Sequence, residues 1–314
     1  MRLRRAHLGA ARGRLAPRAA ALRSRLMLRV FLPLRSGRTA RLRYAAVLDG
    51  HTVNLHAELP GSVRLPDSAD LVLGSGRQRY ESTARVYEDP DGRVLMDAVV
   101  LLGAEVGGAP VDAGRRRLRL RLTTGRRTRL LPLLLVELPV PYEGPTKPMT
   151  ASGVTGRRHR IGRSVTGSAR VVTADARPGA EVVKVHITHA GVAVDFRVLG
   201  TRIDEPRAEF LASGRRIQQS VTVREDGITR VEVPLQGMTP RRPRPEHWDV
   251  VVYGASGSRL RLGRRLHDVR NPLRVFAMRG TVIAPPGHRP LLVQPRYTSA
   301  GNLRITCTPM PEIG

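Results

Sequence analysis

From about Met27 onward, apolar and polar residues alternate with a period of two, and Gly, Pro, Asp or Asn breaks the alternation at short intervals. A strand turns successive side chains to opposite faces, so this pattern buries one face of a sheet and wets the other. Arg41-Leu42-Arg43-Tyr44 and Val53 to Leu59 alternate on either side of Asp49-Gly50, a hairpin signal that predicts a type I′ turn. Ala84 to Tyr87 and Val94 to Val99 flank Asp89-Pro90-Asp91-Gly92, and Leu118 to Leu122 and Thr128 to Val136 flank Thr124-Gly125. The pattern resumes at Val182–Ile187 with Val192–Val198, at Ser220–Arg224 with Ile228–Val233, and at Trp248–Tyr253 with Arg259–Leu262. A last run, Asn302 to Cys307, closes the chain. Short strands at this spacing predict an all-β protein, and 314 residues suffice for two domains with separate cores.

Proline places the expected boundary. Pro139, Pro141, Pro145 and Pro148 stand among Gly144, Gly153 and Gly156, a density no sheet interior accepts. The expected organisation is a basic tail over residues 1–26, a β-sandwich over 27–138, a Pro/Gly-rich linker over 139–156 and a second β-sandwich over 157–314. The late hairpins, Leu118 to Leu130 and His247 to Leu266, resemble each other and suggest that the two halves are related.

The tail has two readings. Leu8, Leu15, Leu22 and Leu26 would share one face of a helix with arginines around them, which suits an anionic membrane surface. Gly9, Gly13 and Pro17 argue instead for a disordered segment, or for translated sequence upstream of the true start. The first thirty residues hold no uninterrupted apolar core of the secretory kind, and Leu130–Val140, cut by Pro132, Glu137 and Pro139, is too short to span a bilayer. The expected location is the cytoplasm, with a peripheral position at the inner membrane face as the alternative. Cys307 is the single cysteine, so no intramolecular disulfide forms.

Charge is the strongest chemical signal: 54 Lys+Arg against 26 Asp+Glu, net +28, with Lys147 and Lys184 the only lysines. One reading is an arginine-rich surface that is merely solvated. The other is a polyanion-binding surface, because the guanidinium fork matches phosphate. Its candidate residues are Arg115, Arg116 and Arg117, then Arg157, Arg158, Arg160 and Arg163, then Arg241 and Arg242. Aromatic residues make up only 4% and do not interleave with these runs, which counts against nucleic acid as the partner.

Catalytic and metal motifs are weak. Asp89-x-Asp91 matches a metal-diphosphate pattern, but turn chemistry explains the same residues. His186 and His189 lack a third ligand nearby, and His51 and His56 are scattered along a hairpin. Asp204-Glu205 and Glu225-Asp226 fall in expected turns. Neither a Gly-x-Ser-x-Gly elbow nor a phosphate loop is present, so no catalytic residue, metal or cofactor is assigned.

Two segments carry a family likeness: His247-Trp248-Asp249-Val250-Val251-Val252 followed by Arg259 to Gly263, and Pro295-Arg296-Tyr297-Thr298-Ser299-Ala300-Gly301-Asn302-Leu303-Arg304-Ile305. Over Arg157 to Pro309 the chain resembles the C-terminal β-sandwich modules of bacterial teichoic-acid-type cell-wall polymer transferases, that is, family 2 glycosyltransferases and CDP-glycerol glycerophosphotransferases. The resemblance implies immunoglobulin-like domains with an accessory role, contacting anionic polymer or a partner transferase. It carries over no catalytic residue, because the family's α/β catalytic domain is missing from this sequence; the alternatives are a fragment or divergent member with transferase activity and, second, sequence-independent nucleic-acid binding. Trp248 and Tyr297 are the expected structural anchors.

Overall fold

A computed structural model describes residues 36–75, 78–136, 151–265 and 277–311, with the single positions 22, 30 and 149. The basic tail, apart from residue 22, and most of the proline-rich linker lie outside the described residues. Among the described residues the protein is all-β, and no helix is long and apolar enough to cross a membrane. The strands divide between two compact units.

Unit 1 contains β1 (Ala40–Val47), β2 (Thr52–Glu58), β3 (Ser68–Ser75), β4 (Gln78–Glu88), β5 (Val94–Leu101), β6 (Gly114–Thr124), β7 (Arg127–Leu134), β8 (Arg158–Arg163) and β9 (Ala169–Ala174). They pair in the order β3-β4-β5-β2-β1-β7-β6-β9-β8, and a further β3–β6 pairing closes the first seven into a barrel-like sheet. β4 makes the closure possible by changing partners midway. Its first half pairs with β3 (Asp70↔Thr83 to Ser75↔Gln78) and its second with β5 (Ala84↔Ala98 to Glu88↔Val94). β7 does the same, leaving β6 at Pro132 to run parallel to β1 through Leu133 and Leu134. A proline is tolerated there because a switching strand need not keep an unbroken ladder.

Unit 2 contains β10 (Gly179–Ile187), β11 (Val192–Leu199), β12 (Ile203–Ala212), β13 (Arg215–Val223), β14 (Thr229–Glu232), β15 (Glu246–Gly254), β16 (Ser258–Arg264), β17 (Thr281–Ile283), β18 (Leu291–Tyr297) and β19 (Leu303–Pro309). Its order, β12-β13-β14-β11-β10-β16-β15-β19-β18-β17, closes through β12–β15. The ring of unit 2 repeats that of unit 1 strand for strand. β10 pairs parallel with β16 as β1 does with β7, and the late hairpins β6–β7 and β15–β16 hold the same place. The likeness of those hairpins in sequence therefore marks a repeated topology.

Each unit buries its own apolar set. Leu118, Leu120 and Leu122 on β6 meet Leu71, Leu73, Met96 and Leu131 in one. Trp248, Val250 and Val252 on β15 meet Phe196, Phe210, Ile305 and Cys307 in the other. Cys307 is fully buried, and burial pushes its thiol up to about 12, so it behaves as a small apolar side chain. Tyr297 is partly buried against the same core.

Three expectations differ from the structure. Asp204-Glu205 lies within β12 rather than in a turn. The Asp49-Gly50 turn is a longer loop closed by Leu48 N–H to Thr52 O at 3.0 Å, not a two-residue type I′ turn. Asp49 explains the difference: its Oδ1 accepts from the backbone N–H groups of His51 (2.9 Å) and Thr52 (2.6 Å), and Gly50 supplies a φ of 85°. The boundary expected at residue 157 also moves. β8 and β9, the first hairpin after the prolines, return to unit 1 and pair with the N-terminal half of β6. Ala169 and Val171 bury in that core, and a ladder partner distant in sequence leaves no local signal.

Candidate polyanion-binding face

The candidate face is the outward side of the β6–β9–β8 ladder. On β6 the alternation sends Leu118, Leu120 and Leu122 inward, while Arg115 and Arg117 are exposed. On β9, Ala169 and Val171 turn inward and Arg170 and Val172 outward. The registers are Arg115↔Val172 and Arg117↔Arg170 across β6–β9, and Val172↔Arg160, Arg170↔Gly162 and Ala174↔Arg158 across β9–β8. Side chains on one face of neighbouring strands are spaced by about 5 Å, so these arginines form one lattice of positive charge. Arg119 adds to it, with its Nη2 donating to Gly74 O at 3.0 Å.

The central pair is unusual. Arg117 and Arg170 are direct cross-strand partners. Like charges placed directly opposite are destabilising. Among the described residues no carboxylate pairs with Arg115, Arg117, Arg160 or Arg170. The buried Nε atoms of Arg119 and Arg170 also lack a hydrogen-bond acceptor among them. Farther along the strand the chain does neutralise itself: Arg121 binds Asp70 at 2.9 Å and Glu81 at 2.5 Å. The strands at the same place in unit 2 behave like Arg121. There Asp249 on β15 accepts from Arg304 Nε at 2.8 Å and lies 3.8 Å from Arg261.

The sequence runs thus separate in space. Arg115, Arg117, Arg158 and Arg160 share the face. Arg116 alternates to the other side of β6. Arg163 is occupied at the end of β8, where its guanidinium donates to the carbonyls of Leu135 and Val136. Arg157 belongs to unit 2, as do Arg241 and Arg242, which are exposed on the approach to β15. Arg170 completes the face yet stands alone in sequence, between Ala169 and Val171. Only the β6–β9 register brings it opposite Arg117.

The acidic and histidine candidates serve structure. Asp89 Oδ1 accepts from the backbone N–H groups of Asp91 (3.0 Å) and Arg93 (2.8 Å), and the Arg93 guanidinium binds both Asp89 and Asp91 at 2.7 Å. Both carboxylates of the Asp-x-Asp pattern are therefore committed to their own turn. His51 is buried with Nδ1 3.1 Å from Leu102 O, and His56 lies 2.7 Å from Asp97. No group of three or more metal-ligating side chains comes together among the described residues.

His186 meets a buried acid: its Nε2 is 2.7 Å from Asp195 Oδ2, and Arg230 Nε donates to Asp195 Oδ1 at 2.6 Å. Arg230 Nη2 also lies 3.0 Å from His186 Nε2, so the ring nitrogen, the carboxylate and the guanidinium form one cluster. The Arg230 hydrogen bonds hold the Asp195 carboxyl down to about 2, against burial that raises it and with help from His186. A depressed folded value stabilises above the unfolded one and is lost as pH falls through the folded one. Asp195→Asn is therefore expected to lower stability by about 1–2 kcal/mol near neutral pH, discounted because Arg230 and His186 are partly exposed. The gap between variant and parent should close as pH falls from about 4 to about 2, read from urea midpoints along a pH series. A gap that stays constant over that range would refute the assignment.

No family model matches the sequence, and no curated protein matches it. Among solved structures, the chain aligns with residues 217–571 of S. aureus TarS at 8% identity, covering 72% of this chain and 62% of that one, with a TM-score of 0.32. A second S. aureus TarS structure gives 8% identity, 72% and 39% coverage and a TM-score of 0.33. Pullulanase from Anoxybacillus sp. LM18-11, complexed with maltotriose, gives 10% identity, 78% and 26% coverage and a TM-score of 0.18. The chain spans less than two thirds of each of these proteins, and at such scores the alignments carry no argument about its fold or its work.

Proposed function

We propose that this chain is a non-catalytic binding protein whose two units are immunoglobulin-like sandwiches, and that the β6–β9–β8 face of unit 1 contacts an anionic phosphodiester polymer of the cell-wall type. The observation that carries the reading is Arg117 set directly opposite Arg170, among further arginines, with no neutralising carboxylate among the described residues. A bound polyanion would turn that repulsion into attraction, each guanidinium taking a phosphate oxygen pair. β4 and β13 change partners midway, as strands that pass between the two layers of a sandwich do. The likeness to teichoic-acid-type transferase modules favours a cell-wall polymer as occupant over nucleic acid, and the scarcity of aromatic side chains agrees.

The test is a titration of the full chain with a glycerol-phosphate polymer, with uncharged dextran and with single-stranded DNA. The polymer should bind, and its affinity should fall steeply between about 50 and 200 mM salt as counterion release requires, while dextran gives no signal. Absence of polymer binding at the lowest salt disposes of the reading. Equal affinity for DNA would replace the cell-wall occupant with polyanions in general.

A further inference from the structure

Unit 2 carries a basic feature of a different shape. Between the β12–β13 hairpin tip and the approach to β15 lies a groove of about 690 Å³, a volume within the range of small-ligand clefts. One wall is Ser213-Gly214, and the other comes from the run Pro240-Arg241-Arg242-Pro243-Arg244-Pro245, in which every residue but Pro243 lines the groove. Three prolines in those six positions fix φ, so the arginines sit on a backbone with little freedom left to lose on binding. The floor is equally ordered. The Arg215 guanidinium stacks 4.8 Å from the centroid of the Trp248 ring. It also donates to Glu246 at 2.5 Å, to Thr239 O at 3.0 Å and to Gly237 O. Glu246, the one acid lining the groove, is thereby spent on Arg215. Among the described residues no carboxylate pairs with Arg241, Arg242 or Arg244.

We infer that this groove is a discrete-anion site, taking a phosphomonoester or diphosphate on a molecule of sugar size through Arg241, Arg242 and Arg244. A concave, proline-stiffened cleft suits a compact dianion, whereas the flat arginine face of unit 1 suits a chain. Arg241, Arg242 and Arg244 all line this one groove, and a guanidinium fork matches a terminal phosphate's oxygens in bidentate fashion. The inference does not depend on what unit 1 binds.

Trp248 is the chain's only tryptophan and lies beneath Arg215, so its emission reports on the groove without a label. Titrating pyrophosphate or glycerol 1-phosphate into the full chain should change that emission saturably, while sodium chloride at matched ionic strength should not. Arg241→Ala, Arg242→Ala and Arg244→Ala combined should weaken the response at least tenfold and leave the unfolding midpoint in place, because all three side chains are exposed. Charge reversal at Arg117 and Arg170 should leave the response intact, which separates failure of this site from failure of the unit 1 face. A short phosphate-ended polymer fragment, compared with the free ester at equal phosphate, tells a chain end from a soluble sugar phosphate by which binds more tightly. Calorimetry showing no saturable binding of either probe, or a triple variant that binds as the parent does, would overturn the inference.

Discussion

Trp248→Ala is expected to remove about 3–5 kcal/mol from unit 2, the largest single effect in the chain. The ring is fully buried on β15 and packs with Phe196, Phe210, Ile305 and Cys307. Its loss leaves a cavity that rigid strands on both sides cannot close, and the cost grows with the volume left empty. The change also strips Arg215 of its aromatic partner and loosens the clamp that Arg215 makes on the loop carbonyls of Gly237 and Thr239. Trp248→Phe should cost far less, about 1–2 kcal/mol, because most of the apolar area survives. The ring nitrogen also has no hydrogen-bond partner to lose among the described residues. Urea unfolding followed by far-UV circular dichroism separates these outcomes. Domains of this size hold only about 5–15 kcal/mol in total, so the alanine variant should sit near the edge of folding. Equal midpoints for the alanine variant and the parent would mean that the ring is not a core anchor.

Much of this architecture was legible in the sequence, and the part that was not has a definite physical cause. Hairpins are local: Leu118, Leu120 and Leu122 alternate with arginine, and Gly125, with a φ of 54°, marks the turn between β6 and β7. The pairing of β6 with β9 joins residues more than fifty positions apart in sequence, and alternation says which face a residue occupies but not which strand lies beside it. Alternation alone therefore assigns β8 and β9 to the second domain and leaves Arg170 apart from Arg117. The arginine runs misled in the opposite direction. Arg115, Arg116 and Arg117 are adjacent in sequence, yet a strand must send the middle one to the other side. Arg163, five residues from Arg158, is consumed by carbonyls after β7. The Asp49 loop shows the same limit at short range, since a side chain that accepts two backbone N–H groups can outweigh the dipeptide rule. The buried Asp195 with Arg230 and His186 left no sequence signal either, because three different strands contribute to it.

Arg117→Glu tests both what holds unit 1 together and what its face is for. Opposite Arg170, the new carboxylate replaces a like-charge pair with an opposite-charge pair. Cross-strand pairs of this kind are worth about 0.2–1 kcal/mol, so the variant should be more stable than the parent by about that amount. Binding should move the other way. The substitution removes one phosphate contact and adds a repulsive charge at the centre of the lattice. Affinity for a phosphodiester polymer should fall about tenfold, with the slope of log affinity against log salt flatter by about 0.7–0.9. Arg126→Glu is the matching control, because Arg126 lies in the exposed β6–β7 turn and the change in net charge is identical. A gain in stability coupled to a loss in binding at Arg117, and neither at Arg126, is what a face kept repulsive for a ligand must give. Equal loss of binding in the two variants would mean that the polymer responds to total charge alone, and the β6–β9–β8 face would then be no site at all.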